Sequence, residues 1–174
     1  MAAATPAAVP PGDPEAAMAV AVHLAAENVR RRSGGPFGAL VLDGAGTVVG
    51  AGVNVVQTTG SSLAHAEVKA LLAAQARLGR PRLNDEPGGP FVLATSAQPC
   101  VMCFGTAFWA GLDALWIGAR AADVETLTGF DEGPLPEDWP GALAARGISV
   151  THDLLREQAR EVLTAYAAAG GERY

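Results

Sequence analysis

The position of the cysteines constrains this chain more than any other feature. The sequence holds two cysteines, and both lie in residues 99–103, which read PCVMC. Cysteines at positions i and i+3 of a helix face the same side, so one metal ion can contact both. A helix N-terminus also stabilises the thiolate form that metals bind. Two cysteines this close cannot form a disulfide framework, which favours a reducing cytoplasm. We therefore expect a metal site in a cytoplasmic protein.

A second motif, HAE, lies upstream at residues 65–67. His65, Cys100 and Cys103 together provide three ligands for a tetrahedral Zn²⁺. Neither of the two other histidines belongs to a paired motif, and there is no third cysteine. Structural zinc sites are normally closed by four protein ligands, whereas catalytic sites leave one position for water. The number of ligands therefore predicts a hydrolytic zinc site.

Glu67 follows His65 too closely to be a comfortable second ligand to the same metal. Its carboxylate can instead point at a metal-bound water, accept the water's proton and pass that proton to a leaving group. Zinc lowers the pKa of bound water to about 7, so hydroxide is available at neutral pH. Such a site suits attack on a ring carbon that carries an amino group, with ammonia as one product.

Each motif has a simpler interpretation when it stands alone. A CxxC pair is also typical of redox proteins, and an isolated HxE is often a surface or capping feature. The combination H-x-E…P-C-x-x-C is much more specific, because it is the signature of zinc deaminases. A zinc-stabilised binding module without enzymatic activity stays open as an alternative, but it would need a fourth ligand.

The pattern of apolar residues predicts an α/β fold. Apolar residues make up 49% of the 174 residues, and charged residues 17%, which favours one domain with a real core. The elements read α-β-β-α-β-α-β, then a short last strand at residues 147–150 and a helix at 153–169. Strands joined through helices are expected to be parallel, and the first pair forms an antiparallel hairpin. We expect a flexible lead-in at residues 1–13, one domain at 14–174, a helix at 63–78 and a loop at 129–147.

The charge balance and hydropathy argue against two classes of partner, nucleic acid and membrane. Acidic residues outnumber basic ones by 18 to 12, for a net charge of −6, which disfavours nucleic acid. The one basic cluster, residues 30–32, suits the C-terminal end of a helix. The sequence has no apolar stretch long enough to predict a membrane span.

The motifs GGPFGALV, GVN, AHAEVKAL, PCVMCFGTAFWAGLDALWIGA and GFDEG lie in this order within residues 34–133. Together they resemble bacterial guanine deaminases, within the cytidine deaminase-like superfamily. The resemblance implies a three-layer αβα sandwich with a mixed five-stranded sheet and a homodimer. It implies hydrolysis of guanine to xanthine and ammonia, in purine metabolism. It also implies that the C-terminal tail, about residues 170–174, caps the active site of the partner subunit.

The same resemblance assigns roles to residues that would otherwise be taken for core or loop positions. Asp131, in GFDEG, would bind the amino group or assist proton transfer to the leaving ammonia. The implied substrate contacts are Phe37 by stacking, Asn54 by a hydrogen bond, Ala66 through its backbone amide, Trp109 as a pocket wall, and Tyr174 in the neighbouring subunit's site.

One position departs from the family pattern. Relatives usually carry Cys-Glu before Pro-Cys, whereas this chain has Ala97 and Gln98. A glutamine can both donate and accept hydrogen bonds, whereas an ionised glutamate only accepts. The choice of substrate therefore stays open at this point. The alternatives are another small base or nucleoside, such as cytidine, a triazine or a modified purine, and a tRNA adenosine deaminase.

Overall fold

A five-stranded mixed sheet forms the centre of the computed structural model, which describes residues 7–174. The strand order is β2-β1-β3-β4-β5. Strand β1 pairs antiparallel with β2 and β3, whereas the β3–β4 and β4–β5 pairs are parallel. The strands are β1 Gly38–Leu42, β2 Val48–Val53, β3 Val92–Ala97, β4 Ala114–Ala119 and β5 Ser149–Thr151. The predicted mixed five-stranded sheet is confirmed.

Helices cover both faces of this sheet. The helices are α1 Pro14–Arg30, α2 Val56–Thr59, α3 Ala66–Leu78, α4 Val101–Ala110, α5 Ala121–Thr128, α6 Trp139–Ala144 and α7 Arg156–Ala168, with a short 3₁₀ turn at Leu83–Asp85. On one face, α1 packs against β1 and β3, and α7 packs against β4; on the other face, α3 packs against β1 and β2 and contacts α4. The predicted three-layer αβα sandwich is therefore confirmed.

Two glycines of β2 set the position of α3. A Cβ atom at Gly50 would overlap the carbonyl oxygen of Ala70, and one at Gly52 would overlap that of Ala66. The backbone of α3 therefore lies directly on the backbone of β2, with no side-chain layer between them. This contact fixes the N-terminal end of α3, where the HAE motif lies.

Some predicted boundaries differ from the structure. Residues 129–147 contain the helix α6, which begins after Asp138, whose carboxylate accepts a hydrogen bond from the Gly141 amide at 3.0 Å. The proline in the first turn of α6 suits a helix start, so the segment predicted as loop also encodes a helix. Helix α7 begins later than predicted, because Asp153 and Leu155 both have positive φ angles.

Part of the predicted flexible lead-in contacts the β1–β2 hairpin. The carbonyl oxygen of Ala7 accepts from the Val48 amide at 3.1 Å, and the Val9 amide donates to the Gly46 carbonyl at 2.8 Å. The Val9 side chain is buried in the core. Residues 1–6 lie outside the described residues, and the flexibility of the lead-in stays a prediction.

An ion cluster joins α5 to α7. The buried carboxylate of Asp123 accepts two hydrogen bonds from Arg156, at 2.7 and 2.8 Å, and also contacts Arg160. The Arg156 guanidinium holds the pKa of Asp123 well below its usual range. The cluster matters for the site because α5 leads into residues 130–132 and α7 leads into the C-terminal tail. Within residues 7–174, no helix has the length and apolar character needed to cross a membrane.

Candidate active site

The HAE and PCVMC motifs meet where two helices begin. His65 is the residue before α3, Cys100 is the residue before α4, and Cys103 lies in the first turn of α4. The Nδ1 atom of His65 lies 3.6 Å from the Cys100 Sγ and 3.5 Å from the Cys103 Sγ. All three atoms lie within 4.8 Å of one another. His65 thus forms one cluster with two cysteines that follow it by 35 and 38 positions in the sequence.

This cluster fits zinc. In a tetrahedral site with Zn–S distances of about 2.3 Å and Zn–N distances of about 2.0–2.1 Å, nitrogen and sulfur lie about 3.6 Å apart. The two measured N–S distances, 3.5 and 3.6 Å, match that edge. Within the described residues, His65, Cys100 and Cys103 form the one group of three metal-ligating side chains. The predicted Zn²⁺ ligands are therefore brought together with the right spacing.

The two thiols interact strongly in the structure. A hydrogen bond from Cys103 lowers the pKa of Cys100 to about 4, and the same contact raises the pKa of Cys103. A divalent cation favours two thiolates, so zinc binding would release thiol protons.

Glu67 lies beside the cluster and is almost completely buried, with 6% of its surface exposed. Burial raises the pKa of Glu67 to about 6. Its position in the first turn of α3 directs it into the same cavity that His65 and Cys100 line. A carboxyl group in such surroundings can both accept and release a proton near neutral pH.

A cavity of about 150 Å³ opens next to this group. Pockets for drug-sized ligands have volumes of about 300–1,000 Å³, so this cavity suits a compact ring. Phe37 and Phe130 form an aromatic part of its wall and pack against each other, with ring centroids 5.5 Å apart. Besides His65, Glu67 and Cys100, the lining residues are Phe37, Gln98, Phe130, Asp131, Glu132 and Tyr174.

Two of the predicted substrate contacts, Asn54 and Ala66, are not among the residues that line this cavity. Asn54 is 1% exposed, its Oδ1 atom accepts from the Val56 amide at 3.3 Å, and its buried Nδ2 group has no partner among the described residues. An unpaired buried amide is costly, so this donor is suited to a ligand. Ala66 is buried as the first residue of α3, where backbone amides lack an intrahelical acceptor.

Trp109 does not line the cavity of the described chain, contrary to expectation. Its side chain is 66% exposed and packs edge-on against Phe108 at 5.6 Å between ring centroids. The helical repeat explains this position, because Cys103, Ala107 and Ala110 form the buried face of α4. Trp109 therefore lies on the outer face of the helix.

The sequence interpretation chose Asp131 in GFDEG and missed Glu132. Asp131 borders the cavity but is exposed, and its carboxylate accepts from the Gly133 amide at 2.8 Å. Glu132 is 8% exposed, and burial together with the charges of Cys100 and Glu67 raises its pKa to about 8. Side chains alternate sides along extended chain. Phe130 is buried, so this alternation places Glu132 on the same inner side, but the sequence alone does not mark Phe130 as buried.

Tyr174 lies in this chain's own cavity. Its ring centroid is 4.8 Å from that of Phe130 and 6.3 Å from that of His65, and burial raises its pKa. Two contacts hold the tail here: the Tyr166 hydroxyl donates to the Glu172 carbonyl at 2.6 Å, and Gln57 donates to the Glu172 carboxylate at 3.2 Å. Capping of a partner's site stays a prediction.

An imidazole and two sulfur atoms beside a buried carboxyl group, between the helices of an αβα sandwich, define a zinc-dependent hydrolase. Residues 12–119 match the family described as the cytidine and deoxycytidylate deaminase zinc-binding region. The chain belongs to this family, as the resemblance predicted.

The similar proteins include guanine deaminases. The guanine deaminase of Bacillus subtilis (strain 168) is 39% identical over 112 residues, which cover 64% of this chain and 67% of that protein. The solved structure of guanine deaminase from Nitrosomonas europaea is 45% identical, with a TM-score of 0.86, and covers 90% of this chain and 85% of that one. The structure of NE0047 with 2,6-diaminopurine is 45% identical, with a TM-score of 0.88 and coverage of 93% and 85%.

Proposed function

We propose that the protein is a zinc-dependent guanine deaminase that converts guanine and water to xanthine and ammonia. The observation that carries the proposal is the cluster of His65, Cys100 and Cys103, which shares one small cavity with the buried Glu67. The guanine deaminases of Bacillus subtilis and Nitrosomonas europaea, at 39% and 45% identity, support guanine as the substrate.

Residues in and beside the cavity offer the contacts that a purine needs. The base lies against the ring of Phe37, whose face offers stacking. The Nδ2 group of Asn54, unpaired among the described residues, donates to an acceptor on the edge of the base. The amide of Ala66 donates to a second acceptor. These contacts orient the amino-bearing carbon, C2, toward Glu67.

His65, Cys100 and Cys103 would hold the zinc ion, which would supply a water with its pKa lowered to about 7. Glu67 accepts a proton from the attacking water as the water oxygen bonds to C2, and delivers that proton to the ring nitrogen next to C2, so that C2 becomes tetrahedral. The new C2 hydroxyl group gives up a second proton to a carboxylate, which passes it to the amino group; the C2–N bond breaks, ammonia leaves, and C2 becomes a carbonyl carbon of xanthine. Glu67 or Glu132 supplies this second proton; Asp131, the residue suggested by the resemblance, is less suited because its carboxylate is exposed and bound to a backbone amide.

We expect Glu132→Gln to lower kcat for guanine by at least about tenfold, because general acid–base groups contribute typically 10²–10⁴-fold. Asp131→Asn should lower kcat by less than Glu132→Gln does. Steady-state ammonia release measures both. Asp85→Asn is the matched control, because Asp85 ends the 3₁₀ turn and forms an exposed ion pair with Arg82. A larger fall in kcat for Asp131→Asn than for Glu132→Gln would contradict the role given to Glu132.

Gln98 is the position where this chain departs from the family pattern, so the choice of substrate needs a direct test. Its side chain lines the cavity, and its Oε1 atom accepts from the Ala121 amide at 3.3 Å. We therefore propose an ammonia-release screen with guanine, 8-azaguanine, triazines, guanosine, adenine, cytosine and cytidine. Guanine should have the highest kcat/KM. Turnover of cytidine without turnover of guanine would overturn the assignment of guanine as the substrate. It would leave the assignment to the zinc deaminases intact.

We also propose that the protein is a cytoplasmic homodimer that acts in purine metabolism. Large apolar side chains are exposed on or next to α3 and α4, and a second copy of the chain would cover them: Leu63 at 62%, Leu72 at 57%, Val101 at 40% and Trp109 at 66%. Exposed apolar patches of this kind are typical of protein–protein interfaces. Sedimentation velocity measures the state directly, and a monomer at micromolar concentration would contradict this part of the proposal.

A further inference from the structure

Asn28 is a buried polar residue that the proposed chemistry does not use. It lies near the C-terminal end of α1 and is 3% exposed. Its Nδ2 group donates one hydrogen bond to the Gly35 carbonyl and a second to the Asn54 carbonyl, both at 2.7 Å. One side-chain amide thus joins two loop segments that are distant from each other in sequence.

One segment leads to Phe37, which lines the cavity, and the other lies beside the lining and is joined to Phe37. Gly35 lies two residues before Phe37, and Asn54 carries the Nδ2 group that has no partner among the described residues. The backbone amide of Asn54 also donates a hydrogen bond to the backbone carbonyl of Phe37 at 3.1 Å. Three hydrogen bonds therefore set the distance between the Phe37 ring, which would stack on the base, and the side-chain amide of Asn54, which would contact the edge of the base.

The packing around Gly35 leaves little freedom for this separation to change. A Cβ atom at Gly35 would overlap the Tyr174 hydroxyl and would lie 3.3 Å from the Asn54 Cγ. A Cβ atom at Gly34 would overlap the Asn54 carbonyl oxygen. The segment that carries Phe37 is in direct contact with Asn54, so a shift of one segment moves the other.

Asparagine is well suited to bridge the two backbone carbonyl groups that Asn28 contacts. A primary amide offers two N–H donors from one uncharged atom, whereas a hydroxyl offers one and a carboxylate none. Each of the two carbonyl groups would lack this bond if Asn28 were truncated, and buried unpaired carbonyl groups are unfavourable. No shorter side chain could satisfy both oxygens at once.

We propose that Asn28 is a positioning residue, which holds Phe37 and Asn54 at the separation that binds a purine in register with Glu67. This inference rests on the proposed function. It predicts that loss of the amide weakens base binding more than it slows the chemical step, because Glu67 and the zinc ligands lie on other elements. A residue with only a structural role would instead lower the melting temperature and the active fraction, and leave KM unchanged.

The test uses Asn28→Ala and Asn28→Asp in the full-length, zinc-loaded protein. Asn28→Asp keeps the shape of the side chain and removes both donors, so it serves if the alanine variant fails to fold. We expect KM for guanine to rise at least tenfold in each variant, with kcat within about fivefold of the parent and zinc content unchanged. Asn84→Ala is the control, because its amide donates to Asp113 at 3.3 Å on the exposed surface.

Two further measurements separate the possible outcomes. In a Glu67→Gln background, 8-azaguanine should bind at least tenfold more weakly when Asn28 is replaced. In an Asn54→Ala background, Asn28→Ala should change KM by less than twofold, because coupled residues are not additive. A KM within twofold of the parent in both Asn28 variants would overturn the inference alone. A parent that releases no ammonia from guanine would overturn the proposed substrate, and the comparison would then use the base that the parent does turn over.

Discussion

Glu67→Gln should abolish guanine turnover while zinc stays bound. The amide has the size of the carboxyl group but cannot accept the water's proton, so both proton transfers assigned to Glu67 are lost. We expect kcat to fall by at least about 10³-fold, within the range that general acid–base catalysis contributes. Ammonia release measures the rate, and elemental analysis of the same sample measures the zinc content.

Glu86→Gln is the matched control for this prediction, because Glu86 is an exposed loop residue. It should keep the parental rate. A Glu67→Gln protein with full zinc content and a rate near that of the parent would exclude Glu67 as the proton carrier. A variant that loses its zinc would show instead that Glu67 supports the metal, which contradicts the same assignment.

The second large effect concerns the metal. Cys103→Ala should lose zinc and activity together, because it removes one of three protein ligands at a position that is fully buried. It should also melt at a lower temperature than the zinc-loaded parent, since a metal that binds the native state stabilises it. Elemental analysis, ammonia release and thermal unfolding of one preparation measure these three quantities.

Val101→Ala tests whether the loss is specific to the ligand. Val101 lies in the same turn of α4, and its side chain is 40% exposed. This variant should retain a full complement of zinc. Removing the metal from the parent with a chelator should abolish activity, and added Zn²⁺ should restore it. A Cys103→Ala protein that keeps both zinc and activity would contradict the assigned ligand set.

The sequence predicted the long elements of the fold better than the short ones. The hairpin, β3, α4 and β4 have strong apolar patterns, and their order implied the mixed sheet that the structure contains. Helices α5 and α6 have eight and six residues, too few for a clear helical repeat. The start of α6 is encoded by a capping aspartate and a proline, which also suit a loop.

Some residues of the candidate site could likewise be predicted from the sequence, and others could not. The zinc ligands could be predicted because few residue types bind the metal and their spacing is characteristic. The burial of Glu132 depends on how Phe130 packs, which composition does not encode. Asn28 could not be predicted, because its partners are backbone carbonyls 7 and 26 residues away, and no side-chain pattern marks them.

The direct contact of α3 with Gly50 and Gly52 has a consequence for how the protein can evolve. The location of His65 and Glu67 depends on backbone meeting backbone, so substitutions among the aliphatic residues elsewhere in the sandwich can alter stability without displacing the catalytic machinery. Mutational drift in the interior is then tolerated. The two glycines themselves are the positions where even one added methyl group would push the helix away and spoil the reaction geometry.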